Sequence, residues 1–539
     1  MTSSPPGFVL RGGLVVDGTG APASQADVAV AGGRITEVAP AARSAGSREI
    51  DVTGLVVAPG FIDIHTHCDF TLPRHPRADS MVRQGVTTLV TGNCGHSTFP
   101  VGTGERRELL QRYSAFLGDD LDWSWPDAAG YVRLLSGLPL AVNVAPLVGH
   151  GTARVAAMGF DSRPPGEREL AQMCEAIGDA MRAGAFGLSS GLIYAPGSYA
   201  AGGELVALAR AAAAAGGFYA THMRNEGPAL LTAVGEAIDV ARQAGLPLQI
   251  SHHKVIGRRN WGLTQASLEL IDSARRDGTD ITLDQYPYEA SSTTLTVALP
   301  AWAMEGGVVQ MQARLADPAQ RERIRREILD GPPGGRPQRD FEPGTVMIAS
   351  VPDGGRELTG HNLADLAAAR GVPPVDLLLS LLAEHGGGVE VVIFGIGEED
   401  IRRVMRHPQV AVASDGWTLH PDAGGCPHPR SYGTFARVLG HYVRQEGVLS
   451  LPAAVRKMTS LPAGRLGLAD RGVVRQGAVA DLAVFDPETV GDRATFTSPH
   501  QYCAGVEHVF VNGVHVIEAA ADTGREAGQV LRGPGARGD

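Results

Sequence analysis

The sequence has no long hydrophobic run, few cysteines and no surplus of basic residues. Its apolar stretches, such as 140–148 and 246–250, are far shorter than the ~20 residues that a bilayer crossing needs. Five scattered cysteines in 539 residues argue against a disulfide framework. A formal net charge of −11 provides no basic surface for nucleic acid. We therefore expect neither a membrane protein nor a nucleic-acid binder, and a small molecule is the expected partner.

The beginning of the chain also lacks a targeting pattern. Residues 1–20 contain no basic stretch followed by an apolar core and a small-residue cleavage site, so we expect a cytoplasmic protein. The length exceeds the size at which one core usually stops growing, which predicts a large catalytic domain with smaller attachments. The oligomeric state stays open.

Both ends of the chain have an all-β pattern. In 1–60, short alternating segments are broken by glycine, and similar segments recur at 480–486 and 506–513. Between them, buried β runs alternate with helical stretches, which is typical of a parallel α/β domain. We count eight candidate strands, and these predict a (β/α)8 TIM-like barrel: 61–67, 87–93, 141–148, 186–190, 218–223, 246–253, 281–286 and 410–414.

These patterns predict an α/β fold of three parts. Segments 1–60 and 470–525 are expected to form a small β-sandwich domain together, and 61–469 the catalytic barrel. The stretch 300–390 is too long for one crossover, so we interpret it as an inserted, lid-like subdomain. The residues after about Gly524 have the composition of a disordered tail.

Five of the candidate strands end in residues that can bind a metal. The ends carry His65 and His67, Cys94, His222, His252 and Asp415. The carboxyl ends of parallel barrel strands converge on one face, and residues two apart in a strand point to the same side. Imidazole, thiolate and carboxylate together suit zinc better than magnesium or calcium.

Each of these residues also has an ordinary structural explanation. A single His-x-His is often two polar residues, Cys94 alone could be a small buried hydrophobe, and an isolated Asp-Gly is usually a turn. Their joint placement at strand ends favours a metal site. There, zinc would polarise a carbonyl and activate a water, while Asp415 takes the proton.

Several motifs in this sequence resemble the D-aminoacylase (N-acyl-D-amino-acid deacylase) family of the metal-dependent amidohydrolase superfamily. The resemblance covers nearly the whole chain. Gly-Asn-Cys-Gly and Ser-His-His-Lys are its most specific parts. The matching segments are 58–67, 92–95, 191–194, 221–226, 251–254, 284–288, 428–430, 480–487 and 494–496.

The resemblance implies zinc-dependent hydrolysis of N-acyl-D-amino acids. It implies that Cys94, His222 and His252 hold a tight zinc, and that His65, His67 and Asp415 line a weaker second position. Asp415 would act as general acid and base. The cysteine would replace a carboxylated lysine of other relatives. In agreement, 184–191 has no lysine, and the chain has only two, Lys254 and Lys457.

The resemblance also implies a set of residues that bind the substrate carboxylate: Lys254, Arg430, Tyr194, Tyr286 and Ser292. A planar guanidinium suits a carboxylate on independent grounds, which supports Arg430. Tyr286 and Ser292 could instead satisfy backbone groups at a strand end. His253 should face away from its neighbour His252 by strand alternation, so we leave it out of the site.

Alternative functions remain open at this stage. One is hydrolysis of a cyclic amide of the dihydropyrimidine or hydantoin type. Another is deacylation of a specialised acylated metabolite, because Trp417-Thr418-Leu419-His420 follows Asp415-Gly416 where the family usually has leucine and proline. A non-catalytic scaffold is a third alternative, but it would be expected to lack some of the six ligands.

Overall fold

The computed structural model describes residues 7–43, 47–117, 121–333, 341–352 and 355–537. Parts of the predicted segments, namely 1–6, 44–46, 118–120, 334–340, 353–354 and 538–539, lie outside these ranges. The strands are β1 (Phe8–Val15), β2 (Ser24–Ala31), β3 (Arg34–Ala39), β4 (Arg48–Asp51), β5 (Val56–Pro59), β6 (Phe61–Asp63), β7 (Val86–Thr91), β8 (Asn143–Pro146), β9 (Val148–Gly149), β10 (Gly187–Gly191), β11 (Phe218–His222), β12 (Leu248–Ile250), β13 (Ile281–Gln285), β14 (Ala290–Thr294), β15 (Val346–Ser350), β16 (Glu390–Phe394), β17 (Val410–Val412), β18 (Leu482–Phe485), β19 (Val506–Val511), β20 (Val514–Glu518) and β21 (Ala521–Asp522).

The helices alternate with the central strands. They are α1 (Asp79–Val82), α2 (Glu105–Ser114), α3 (Ala128–Ser136), α4 (His150–Met158), α5 (Glu167–Ala183), α6 (Gly202–Ala213), α7 (Leu230–Ala244), α8 (Leu263–Arg276), α9 (Val308–Ala316), α10 (Pro318–Asp330), α11 (Leu363–Arg370), α12 (Pro374–His385), α13 (Glu398–Arg406), α14 (Arg430–Arg437), α15 (Leu451–Met458) and α16 (Ser460–Leu466). A π-helical segment, Val438–Gln445, continues α14.

Eight parallel strands form the barrel that the sequence predicts. β6, β7 and β8 pair in parallel, and β9 to β13 with β17 form a second parallel row. β8 and β9 are two parts of one strand, separated by Leu147, whose N–H donates to the Thr91 carbonyl at 2.9 Å. On the other side a parallel bridge joins Thr66 to Gly416. These two links connect the rows into a ring, and each predicted strand is present within a few residues.

The barrel strands are buried on both faces because helices cover their outer side. All six residues of β7 are buried, which matches the continuous run expected of a parallel strand. The covering helices are amphipathic. In α13, Ile401, Val404 and Met405 are buried at helical spacing, while charged residues occupy the other face.

Strands from both chain ends share one nine-stranded sheet. β18 pairs with β5 in antiparallel fashion, and this pairing joins the C-terminal strands to β1, β2 and β3. The sheet folds over itself, since Phe8 of β1 stacks on Phe510 of β19 with ring centroids 4.3 Å apart. The predicted sandwich is thus one continuous sheet whose two halves enclose an apolar core.

Residues 525–537 are ordered, which corrects the expectation of a disordered tail after Gly524. The Ala527 N–H donates to the Leu140 carbonyl at 3.0 Å, and the Leu531 N–H donates to the Val144 carbonyl at 2.8 Å. The prediction from composition was wrong because the glycine, proline and arginine residues of this segment do not prevent its backbone from pairing with the edge of a barrel strand.

The long connection between β13 and β17 has its own sheet and core. β14, β16 and β15 form an antiparallel sheet, and the apolar residues of α9 to α12 pack against it. β14 lies before the predicted start of the insertion at 300, and β16 extends beyond its predicted end at 390. We propose the three-part division of the chain stated above, with these two strands added to the inserted subdomain.

In the described part of the chain, no single helix has the length and apolar composition for a membrane span. One pair of helices, 363–370 and 374–388, meets both criteria jointly but is bent by 96°.

Candidate metal centre and active site

The six predicted metal ligands converge at the carboxyl ends of the barrel strands. They form two groups that share one thiol, and within each group the potential ligand atoms lie within 4.8 Å of one another. All six residues are buried. The first group is Cys94, His222 and His252, and the second is His65, His67, Cys94 and Asp415.

The first group has the dimensions of a tetrahedral zinc site. Cys94 Sγ lies 3.4 Å from His252 Nε2, which lies 3.0 Å from His222 Nδ1. Zinc–nitrogen and zinc–sulfur bond lengths in a tetrahedron place such atoms about 3.3–3.6 Å apart. The donor types and their spacing therefore fit zinc.

The second group adds a carboxylate on the opposite side of the thiol. His65 Nε2 lies 3.2 Å from Cys94 Sγ and 3.3 Å from Asp415 Oδ1. His67 Nε2 lies 3.1 Å from the same carboxylate oxygen. Cys94 belongs to both groups, so its Sγ is the potential ligand atom that the two groups share.

Three of these ligands have an unusual backbone conformation. The φ angles of Cys94, His252 and Asp415 are +53°, +33° and +53°. Non-glycine residues seldom adopt this left-handed region, and each such residue costs on the order of 1–3 kcal/mol. The chain turns sharply at these strand ends, and the turn directs each side chain into the centre.

Two carboxylates outside the predicted set lie beside His65, His222 and His252. Glu226 Oε1 lies 3.1 Å from His252 Nδ1, and its Oε2 lies 3.4 Å from His222 Nε2. Asp284 Oδ1 accepts hydrogen bonds from His65 Nδ1 at 3.1 Å and from the His252 backbone N–H at 2.7 Å. Carboxylates in such positions fix the tautomer of a metal-binding imidazole. Sequence reasoning missed both roles, although both residues lie in the motifs 221–226 and 284–288.

Charges in the centre keep its acidic groups ionised. Burial opposes ionisation of Asp415, but the Arg430 guanidinium and His65 hold the pKa of this carboxyl well below its usual range. Arg430 Nη1 donates to Asp415 Oδ2 at 2.6 Å. Burial also raises the pKa of the Cys94 thiol, but the effect of His65 and His252 in the opposite direction is larger. The net result is a pKa well below the usual value for a thiol. Both groups are thus available as anions.

The five predicted substrate-binding residues line the same cavity as the ligands. Lys254 Nζ donates to Glu226 Oε1 at 2.6 Å, and Arg430 Cζ lies 5.1 Å from the centre of the Tyr286 ring. Tyr194 Oη lies 3.2 Å from Thr293 Oγ1, and the Ser292 carbonyl is 3.5 Å from Arg430 Nη2. The structure therefore brings the whole predicted set together.

Three buried donors around this cavity are available to a ligand. Tyr286 Oη, Arg430 Nε and Trp417 Nε1 have no hydrogen-bond partner within the described residues. Trp417 packs over Arg430, whose Cζ is 5.5 Å from the indole ring. The loop that departs from the family pattern thus forms one wall of the cavity. The sequence showed that this loop differs from the family pattern, but it did not show that Trp417 lies in the cavity wall.

Two residues near the site lie apart from it. His253 points to the opposite side from His252, and its Nε2 lies 2.8 Å from Ser267 Oγ. The Cys426 thiol donates to the Phe496 carbonyl at 3.0 Å. Both therefore have local structural partners.

The chain is similar to known amidohydrolases over most of its length. An amidohydrolase family model matches residues 48–517. The chain is 38% identical to D-aminoacylase of Alcaligenes xylosoxydans xylosoxydans over 529 residues, covering 98% of both chains. It is 39% identical to the N-acyl-D-glutamate deacylase of the same organism over 527 residues, covering 97% of this chain and 96% of that one.

A solved structure shares the fold over nearly the full length. N-acyl-D-glutamate deacylase from Bordetella bronchiseptica, complexed with zinc and a phosphonate mimic of the tetrahedral intermediate, superposes with a TM-score of 0.82. The two chains are 35% identical, and the match covers 98% of this chain and 100% of that one. This chain therefore belongs to the amidohydrolase family and, within it, to the D-aminoacylase family.

Proposed function

We propose that this metal-dependent amidohydrolase removes the acyl group from N-acyl-D-amino acids, releasing a D-amino acid and a carboxylate. The observation that carries this proposal is the pairing of a cysteine-centred metal site with Arg430, a buried guanidinium in the same cavity. A metal site alone would suit many hydrolases. The adjoining cation adds recognition of a substrate carboxylate. The two curated relatives named above are deacylases of this substrate class.

The proposed metal arrangement follows the two groups of ligands. Cys94, His222 and His252 hold one zinc tightly, and His65, His67 and Asp415 line a weaker second position around the same thiol. When bound, zinc supplies Lewis acidity, which polarises the scissile carbonyl and lowers the pKa of a water.

The protein's own residues orient the substrate and move its protons. Asp415 is the general base that accepts a proton from the attacking water, and then the general acid that delivers it to the leaving amine. Arg430 assists the first step, because it keeps Asp415 ionised before the reaction. Arg430, Lys254, Tyr286, Ser292 and Tyr194 are proposed to hold the substrate carboxylate and amide in reach of Asp415.

A cyclic amide is the competing substrate class. Enzymes of that class are expected to carry a carboxylated lysine on this strand. Here the strand is β10, Gly187–Gly191, and it contains no lysine. Cys94 lies instead between the two ligand groups. These observations favour linear amides. A specialised acylated metabolite is the other alternative substrate, because Trp417 lines the cavity at a point where the sequence departs from the family pattern.

A paired substrate panel tests the proposal. The zinc-loaded protein is incubated with the N-acetyl-D and N-acetyl-L forms of alanine, leucine, methionine, phenylalanine, glutamate and aspartate, and released amine is quantified. We expect kcat/KM for the best D form to exceed that for its L form by at least about 100-fold, because one chirality places both carboxylate and amide correctly. Protein treated with a chelator is the control. Release from neither series, in protein that contains zinc, would move the proposal to cyclic or specialised amides.

A metal titration tests the number of ions that turnover requires. Metal-free protein receives zinc in fractions of an equivalent, and bound zinc and kcat are measured at each step. We expect kcat to reach its plateau at about one equivalent, since three buried ligands form the tighter group by themselves. An increase in kcat that continues in proportion to a second bound equivalent would show that both positions are needed.

A further inference from the structure

A second, larger cavity adjoins the metal centre. Its volume is ≈ 370 Å³, whereas the cavity at the ligands measures only ≈ 40 Å³. The larger cavity lies between the loops that follow β11 and β12 and the inserted subdomain. A volume of this size falls within the range that buries whole small-molecule ligands, about 300–1,000 Å³. The small cavity cannot enclose a long substituent, so such a group must extend elsewhere.

The two cavities adjoin each other. Ile193, Glu226 and Ile256 line both of them. Ile193 precedes Tyr194 after β10, and Ile256 follows Lys254 after β12, so both belong to loops that carry proposed substrate-binding residues. A substituent on a substrate bound at the metal centre can therefore pass between these loops into the larger cavity.

The larger cavity is mostly apolar. Leu295, Leu299 and Val391 are buried members of the inserted subdomain's core, and Ile256, Val297 and Ile393 are half-buried. Together with the aromatic side chains of Trp302 and Phe341, they form its walls. Such walls stabilise an aliphatic group by removing it from water.

The charged groups of the larger cavity do not favour an acidic ligand. Glu226, Glu327 and Glu342 are among its lining residues. Arg224 also lines it, but its Nη2 already donates to Glu236 Oε1 at 2.8 Å. Glu342 is exposed, but the side chains of Glu226 and Glu327 are buried. A second carboxylate inside the cavity would meet these two glutamates and would compete with Glu236 for this arginine.

The remaining arginine of the lining lies at the cavity's edge. Arg258 is exposed, and its Cζ lies 5.9 Å from the centre of the Trp261 ring. Its charge is therefore largely screened by water. The charge and polarity of the lining residues therefore favour an aliphatic group over an acidic side chain.

We propose that this cavity receives an extended aliphatic chain of the substrate, which makes N-acyl-D-amino acids bearing a chain of about eight or more carbons the preferred substrates. The proposal rests on the deacylase function above and adds its substrate class. An aliphatic chain can enter as the acyl group or as the D-amino-acid side chain. The same apolar walls would bind either one.

A chain-length series measures the preference and identifies its source. One arm compares N-acetyl-, N-butyryl-, N-hexanoyl- and N-octanoyl-D-alanine, and the other compares N-acetyl-D-alanine with N-acetyl-D-2-aminodecanoate. Each fully buried methylene is worth about fourfold in affinity. We expect kcat/KM to rise at least about 50-fold between the shortest and longest member of one arm, and that arm names the source of the chain.

Substitutions in the cavity wall provide the matched test. Val297→Asp places a carboxylate in the apolar wall, and Ala298→Trp fills part of the volume. We expect each to lower kcat/KM for the long-chain substrate at least about 20-fold and to change kcat/KM for N-acetyl-D-alanine less than about threefold. Val309→Asp is the control, because Val309 lies in α9 of the same subdomain and is 49% exposed.

The results separate failure of this inference from failure of the proposed function. Hydrolysis of N-acetyl-D-alanine with no gain along either arm would overturn the chain-binding cavity and leave the deacylase function intact. Highest activity towards N-acetyl-D-glutamate would overturn it as well. If the protein with bound zinc hydrolyses no member of either arm and none of the N-acetyl-D forms of the substrate panel above, the proposed function itself is wrong.

Discussion

Asp415→Asn is expected to retain zinc and to lose nearly all turnover. The amide keeps an oxygen near His65 and His67, and Cys94, His222 and His252 are unchanged. It cannot accept a proton from water, and it lacks the charge that Arg430 stabilises. Loss of a general base typically costs 10²–10⁴-fold, so we expect kcat to fall about 1,000-fold. Steady-state kinetics and zinc content measured on the same sample check this result.

Asp422→Asn is the matched control for this prediction. Asp422 lies in the loop that follows Asp415, and its side chain is 92% exposed. The same chemical change there should leave kcat within about twofold of the wild-type value. If Asp415→Asn retains more than about a tenth of wild-type kcat, another group must be the base.

Cys94→Ser is expected to remove the tight metal and the activity together. The thiolate is the one atom shared by both ligand groups. A serine hydroxyl has a far higher pKa and remains protonated, so it is a poor ligand for zinc. Since substitution of residues that merely support a ligand costs about 10–100-fold in metal affinity, loss of this ligand should cost at least about 100-fold. Competition with a chromophoric zinc chelator measures the affinity.

Cys426→Ser makes the same exchange at a thiol outside the metal centre. Serine can donate to the Phe496 carbonyl as Cys426 does. We expect zinc affinity and kcat within about threefold of the wild-type values. Wild-type zinc affinity in the Cys94→Ser variant would mean that the bridging role lies with another residue, and the ligand assignment would then have to change.

The sequence by itself determined the barrel and which potential metal ligands lie at the ends of its strands. Parallel strands that are covered on both faces are rich in β-branched and apolar residues along their whole length, so a run such as Val86–Thr91 can be recognised from the sequence alone. Strand ends in a barrel converge on one face, and a histidine or cysteine at such an end is therefore placed by topology. The two chain ends could be assigned to one sheet because their alternating segments have the same short period.

Only the tertiary structure decided which distant groups meet. Glu226 and Asp284 support the histidines because loops from neighbouring strands bring them behind the imidazoles. The positive φ angles of Cys94, His252 and Asp415 depend on the strain that the surrounding barrel can hold. No local sequence pattern predicts these contacts or these backbone conformations.

The same reason explains the two features that composition could not predict. The segment after Gly524 is ordered because the edge of a barrel strand offers it backbone partners, as in the bond between Leu531 and Val144. The larger cavity exists because the inserted subdomain packs beside the loops that carry Ile193 and Ile256. Both features depend on contacts between segments that are far apart in the chain. A sequence shows which side chains are present, but not which of these distant side chains will contact one another.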